Sequence, residues 1–168
     1  EQCAVRAKDF YRTFVKGKCF LTDAKTAEMC KLAENAYRDL NIAYANELST
    51  VAERLGIDVW ELIDLANRHP RVNILKPGPG VGGHCIAVDP HFLAQASPTE
   101  TLLIQRARVI NDARPDWVVE KVTTEIQERG RNLGDISIAC FGLTFKKDVD
   151  DLRGSPAKHV VERLSEFG

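Results

Sequence analysis

With 168 residues, 44% hydrophobic and 28% charged, the chain can bury one moderate core or parts of two, and its composition is that of an ordinary soluble protein. A net charge of −1 offers no basic surface for nucleic acid or an anionic membrane, so any anionic ligand must be held by local groups. No apolar run approaches the roughly 20 residues of a membrane span, and Glu-Gln-Cys-Ala-Val-Arg at the start is no signal peptide, so the chain reads as cytosolic.

The first element in chain order is a helical pattern from Ala4 to Phe14, followed by a short apolar run, Lys18 to Leu21, that reads as a strand or a buried extended segment. These residues look like the tail of something larger. The chain has no initiator Met, its single Met being Met29, and it stops directly after a helix, so a fragment is expected. Thr22 or Asp23 supplies an N-cap for a long helix to about Leu55, with Gly56 as its stop. About 30 residues of helix span about 45 Å, and apolar side chains on several of its faces predict burial on several sides, a partner subunit included. Asp58 caps a second helix, Val59 to Asn67, closed by His69-Pro70. Residues 70 to 90 hold four Pro and four Gly, which is loop chemistry. Ser97-Pro98-Thr99-Glu100 resembles a capping box opening a helix to about Ala113. Pro115 starts or kinks the next helix, which ends near Gly130. Ile136 to Phe141 is a β-branched strand pattern, and Pro156 to Phe167 is helical. Strand, loop and helix form the first half of a βαβ unit, so an α/β domain begins near residue 132 and is cut off.

The most informative stretch runs from Lys76 to Pro90. Gly78, Gly80 and Gly83 match G-x-G-x-x-G by letter, yet Lys-Pro precedes them and Ile-Ala-Val-Asp-Pro follows, whereas a dinucleotide fingerprint needs a strand before and a helix directly after. The glycines instead predict a backbone that passes close to a ligand and delivers the thiol of Cys85. His84 beside it and Asp89 four residues on suit a thiolate and a group that orients water. Two readings of Cys85 stay open on the residues alone, a reactive thiol and a buried structural one. The five cysteines are odd in number and include no C-x-x-C pair, which argues against a disulfide framework and a zinc site; ligation by His84, Cys85, Asp89 and His91 would need distant further ligands. Lys31, Asn35 and Arg38 fall on one face of the long helix and can converge on an oxygen-rich ligand. His69 and Arg71 precede the glycine loop. Lys146 and Arg153 follow the late strand pattern, where α/β units bind ligands and a helix N-terminus favours anions; solvated surface charge is the competing reading for all of them.

Three segments in this order, Lys31-Leu-Ala-Glu-Asn35, Gly82-Gly83-His84-Cys85-Ile-Ala-Val-Asp89-Pro90 and Phe145-Lys146-Lys-Asp-Val-Asp-Asp-Leu-Arg153, resemble the UDP-glucose/GDP-mannose dehydrogenase family. Members that oxidise UDP-glucose usually carry Ser before the Cys and Lys before the Asp; His84 and Val88 stand there, a form similar to members that act on a UDP-N-acetylhexosamine.

The resemblance implies a mostly α fragment of an α/β protein: residues 1–22 the end of an N-terminal NAD-binding domain, 23–115 a central helical dimerisation domain carrying the catalytic Cys loop, and 116–168 the truncated start of a Rossmann-like UDP-binding domain. It further implies a UDP-sugar substrate, NAD as cofactor, a homodimer through the long helix, and no metal, nucleic acid or membrane. By motif position Cys85 is the nucleophile, Lys31 the acid/base and oxyanion group, Asn35 its partner and Asp89 the residue that positions water. Lys31, Asn35, Arg38, His69, Arg71, Gly82, Phe145 and Lys146 are implied to contact nucleotide sugar, and Arg153 to reach NAD.

Overall fold

The computed structural model describes residues 2–167; Glu1 and Gly168, the outer ends of the first and last expected domains, lie outside the described residues. Six α-helices follow one another: α1 Gln2–Tyr11, α2 Ala24–Arg54, α3 Val59–Ala66, α4 Asp89–Ala96, α5 Leu102–Glu128 and α6 Pro156–Ser165, with one 3-10 turn at Leu133–Asp135. No helix is long and apolar enough to cross a membrane, among the described residues.

Local chemistry sets the expected helix ends. Asp23 accepts from the backbone N–H and hydroxyl of Thr26 at 3.0 and 2.6 Å, and those bonds hold its carboxyl below the usual carboxylate range. Gly56, at φ 67°, ends α2, where the Ile57 N–H returns to the Ala52 carbonyl, as a left-handed C-terminal residue allows. Asp58 caps α3 through the Trp60 N–H at 2.8 Å. Ser155 accepts from the Lys158 N–H at the start of α6, with Pro156 in the first turn.

Helix α2 packs on α4 and α5, and the second half of α5 packs on α6. The α5–α6 contact is apolar, built on Val119, Val160 and Leu164. The α2–α5 contact is different in kind. Alongside Ala36, Ala43, Ala45, Ala52 and Ala107 it buries Asp39, Asn46, Ser49, Arg108, Asn111 and Arg114, while Asn35 is buried against α4.

Five expectations change. The run Lys18–Leu21 is neither strand nor buried, since Phe20 is 84% exposed and no sheet partner passes beside it. Ile136–Phe141 begins extended, with Ile136 at φ −127° and ψ 154°, but forms no ladder; a lone strand leaves its backbone groups to solvent, and the Phe141 side chain is 98% exposed. The two helices expected on either side of Pro115 are one, α5, with Pro115 buried inside it. The Ser97–Glu100 pair does bond, at 2.5 Å, but α5 starts only at Leu102 after a turn. Helix α4 lies partly within the segment read as loop, and Asp89 and Pro90 open it.

Candidate active site

Lys31, Asn35, Arg38 and Ile42 descend one face of α2 at successive helical turns. Together with the loop from Gly80 to Ile86, and with Phe145 and Lys146, they line one cleft of about 420 Å³. Cys85 stands in that cleft with an exposed side chain, as a free thiol. The buried-cysteine reading is therefore overturned. The cleft brings together residues from three separate stretches of sequence.

Asn35 is 4% exposed and donates its amide N–H to the Asp89 carboxylate at 2.5 Å. That bond ties α2 to the first turn of α4. The Cys85 carbonyl in turn accepts the N–H groups of Val88 and Asp89 at 3.0 and 2.8 Å, so the backbone of the cysteine and the acid four residues on move as one turn. Lys31 is exposed and paired with exposed Glu34 at 3.3 Å, a contact too solvated to immobilise the ammonium.

The glycine loop owes its composition to the protein as much as to any ligand. A Cβ on Gly82 would lie 2.5 Å from the Gly154 carbonyl oxygen and 2.7 Å from the Phe145 Cβ. The loop is thus roofed by the segment just before α6, which also carries Lys146. The Phe145 ring meets the His84 ring edge-on, centroids 6.5 Å apart.

At Gly80 the neighbour is α5. Pro115 cannot donate to the Asn111 carbonyl four residues back, and a Cβ on Gly80 would sit 3.1 Å from that carbonyl oxygen.

Four expected site residues do not line the cleft: Asp89, which reaches it only through its bond to Asn35, His69, Arg71 and Arg153. His69 and Arg71 are exposed on the turn after α3; the Arg71 N–H donates to His69 Nδ1 at 3.2 Å, and Asn67 closes the turn by two bonds to the backbone of Ile74. Arg153 lies in a neighbouring cleft beside Gly83, His84 and Val88. Its Nε and Nη2 donate to the Asp151 carboxylate at 2.9 and 2.8 Å, which holds the Asp151 carboxyl far below the usual range and raises the Arg153 guanidinium. His84 Nδ1 lies 4.0 Å from the same carboxylate. His84, Cys85, Asp89 and His91 do not converge; among the described residues no group of three His, Cys, Asp or Glu is placed to hold a metal.

Sequence reasoning missed Ile42, whose signal was its place eleven residues after Lys31 on the same stripe. It also missed the buried polar side chains behind the loop. Asn46 Oδ1 accepts the Gly78 N–H at 2.9 Å, and Arg114 Nε donates to the Gly78 carbonyl at 3.2 Å.

The model of the UDP-glucose/GDP-mannose dehydrogenase family, central domain, matches residues 25–113, and that of the same family's UDP binding domain matches residues 139–168. An NDP-N-acetyl-D-galactosaminuronic acid dehydrogenase of Ralstonia nicotianae is 55% identical over 97% of this chain and 38% of its own length. A UDP-N-acetyl-D-mannosamine dehydrogenase of Escherichia coli K12 is 52% identical over 98% of this chain and 40% of its own length. The solved structure of a UDP-D-ManNAc dehydrogenase from Pyrococcus horikoshii superposes with a TM-score of 0.93 at 44% identity, over 99% of this chain and 40% of that one. The chain thus spans about two fifths of the length of these relatives.

Proposed function

Because the chain belongs to the UDP-glucose/GDP-mannose dehydrogenase family, we propose that the whole protein is a cytosolic, NAD-dependent UDP-sugar 6-dehydrogenase. Its substrate is UDP-N-acetyl-D-mannosamine and its product UDP-N-acetyl-D-mannosaminuronate. The observation that carries the reading is the single cleft in which exposed Cys85 faces Lys31, Asn35 and Lys146.

Two NAD, bound in turn, would each take up one of the two hydrides that this four-electron oxidation removes from C6. Of the NAD site this chain supplies Arg153, exposed beside the cysteine loop with Nε and Nη2 turned to Asp151; the described residues build no dinucleotide cradle, since Gly78, Gly80 and Gly83 lie on a loop.

The chain's own residues do the covalent work. The Cys85 sulfur adds to the C6 aldehyde, and the carbonyl oxygen takes a proton to give a thiohemiacetal. Loss of hydride from C6 and of that proton leaves a thioester. Water attacks it, releasing the carboxylate and restoring the thiol, so one water is consumed and the reactive aldehyde stays bound between the two oxidations. Lys31 donates and withdraws protons at the C6 oxygen and balances its charge, with Asn35 beside it. Asp89, fixed by the Asn35 amide, orients the water. Arg38, Gly82, Phe145 and Lys146 hold the nucleotide sugar; His69 and Arg71 complete its contacts.

The domain division at residues 22 and 115 follows the same reading, with the second boundary at the proline inside α5. The homodimer forms through α2, where Tyr37, Tyr44 and Val51, seven residues apart and 61%, 47% and 52% exposed, leave an apolar stripe for a second copy. A second reading, oxidation of an N-acetyl-D-galactosamine nucleotide, has the 55% identical Ralstonia relative in its favour.

The test is Cys85→Ala in the full-length protein, with NADH formation and uronate followed on both sugar nucleotides. Loss of uronate formation by at least about 10³-fold is expected, the scale on which removal of a covalent nucleophile acts. Normal turnover by this variant refutes the assignment.

A further inference from the structure

The side chains behind the cysteine loop form a connected polar chain that the proposed mechanism does not use. Asp39, fully buried, accepts from Arg108 Nη1 at 2.6 Å and from Asn111 Nδ2 at 2.9 Å. Asn111 Nδ2 also donates to the Asp39 backbone carbonyl at 2.9 Å. Its amide oxygen then accepts from Asn46 Nδ2 at 3.0 Å, and Asn46 Oδ1 accepts the Gly78 N–H at 2.9 Å.

Polarity along this chain is fixed. An ionised carboxylate only accepts, so Asn111 must turn its N–H₂ to Asp39 and its oxygen to Asn46, and Asn46 must turn its oxygen to the loop. Asn46 and Asn111 are each 1% exposed, which leaves water no place to substitute.

Arg114 closes on the other side of the same peptide. Its Nε donates to the Gly78 carbonyl at 3.2 Å, Nη2 to Ser49 Oγ at 2.5 Å and Nη1 to Thr50 Oγ1 at 3.0 Å, and its guanidinium lies 3.5 Å from the Trp117 ring centroid. It is 8% exposed and has no carboxylate ion pair among the described residues. Burial lowers its pKa, opposed by Glu53. Burying a cation against hydroxyls and a carbonyl is costly, and a neutral side chain of similar volume would pack α2 on α5 with less desolvation. What the guanidinium adds is three directed donors in a fixed fork.

We infer that Asn46 and Arg114 are positioning residues for the nucleophile: they grip the Gly78 peptide by its N–H and its carbonyl and so fix the stem of the loop that presents Cys85, seven residues on. This deepens the dehydrogenase reading and rests on it.

The experiment uses the full-length protein with Arg114→Met, Arg114→Lys and Cys85→Ala, reading kcat and KM for uronate formation, the rate of Cys85 carbamidomethylation by iodoacetamide, and the thermal midpoint. Arg114→Met is expected to lower kcat about 10²-fold, the effect of displacing a reacting group by about 1 Å, with KM within threefold and an altered carbamidomethylation rate. Arg114→Lys keeps the charge and one donor nitrogen without the fork and is expected to regain part of that loss. A kcat within threefold of the parent in Arg114→Met, at a lowered midpoint, shows packing alone and overturns the proposal. Should Arg114→Met not fold, the same threefold criterion applies to Arg114→Lys. A fully active Cys85→Ala defeats the assignment of Cys85 as nucleophile, on which the positioning role rests, whereas an inactive Cys85→Ala beside a normal Arg114 variant defeats only the positioning role.

Discussion

The cleft has two walls of unlike construction. One is α2, backed by α5, where every turn from Asn35 to Ala52 buries a residue and the polar ones are bonded to α4, α5 or the loop stem. The other is the stretch from Ile136 to Gly154, which has no regular structure, exposes Ile138, Phe141 and Leu143, and touches the cysteine loop through Phe145 and Gly154. The first wall is held by partners within this chain; the second has few of its own. In the proposed function reaction geometry rests on the first, and ligand grip mainly on the second with Arg38 added from the first, so substitutions behind the two should differ in what they disturb.

The largest effect is expected at the base of the α2 wall. The Arg108 and Asp39 side chains are 6% and 1% exposed and meet at 2.6 Å, with Arg108 also bonded to Asp112. Desolvation pushes the Asp39 carboxyl upward, against Arg108 and Asn111, and its Oδ2 has no partner. Arg108→Met leaves this carboxylate buried without its cation, so a loss of about 3–5 kcal/mol is predicted in urea unfolding of the full-length protein. Adding Asp39→Leu should restore most of it, because removing both charges also removes the desolvation. A single-variant loss under about 1 kcal/mol would mean that the wall is not held as described.

How far these walls were legible follows from which forces local sequence carries. The caps Asp23 and Asp58 act on backbone groups two or three residues away, so the starts of α2 and α3 were readable nearly to the residue, and Pro156 marked the start of α6. The stripe of Lys31, Asn35 and Arg38 was readable because helical period alone puts them on one face. Helix α4 was hidden because the glycines and prolines around it announce loop, although Pro90 in its first turn was a start signal. Pro115 was misread because its missing bond is tolerated where the freed carbonyl faces Gly80. The polar spine went unread, since Asp, Asn and Arg are usually solvated; the cue was that Asp39 and Asn46 share the stripe of buried Ala36 and Ala43. The strand at Ile136 needs neighbours that lie far away in sequence, and no local pattern supplies a ladder.

A smaller effect, of another kind, is expected where the two walls touch. Gly82→Ala puts a methyl 2.5 Å from the Gly154 carbonyl and 2.6 Å from Pro156 Cδ. Backbone on one side and a ring on the other cannot turn aside as a flexible side chain would. Overpacking of this sort costs about 1–3 kcal/mol, and it falls on the contact that brings Phe145 and Lys146 over the cleft. KM for the sugar nucleotide should rise about tenfold or more, since about 1.4 kcal/mol is a factor of ten. The urea midpoint should shift less than in Arg108→Met. An unchanged KM would separate the second wall from ligand grip.

The smallest effect belongs to the outer edge of that second wall. Phe145 is half-buried, with its ring over Gly83 and edge-on to His84. Phe145→Leu keeps an apolar side chain of nearly the same reach but removes the aromatic edge contact, worth about 0.5–1.5 kcal/mol at most. KM is therefore predicted to rise about threefold with kcat unchanged, because Cys85, Asn35 and Asp89 are tied to one another and to α2 without help from this ring. Initial-rate measurements over a range of sugar-nucleotide concentrations separate the two parameters. A fall in kcat larger than the rise in KM would show that the second wall also sets the reacting geometry, and the contrast between the walls would then be one of degree.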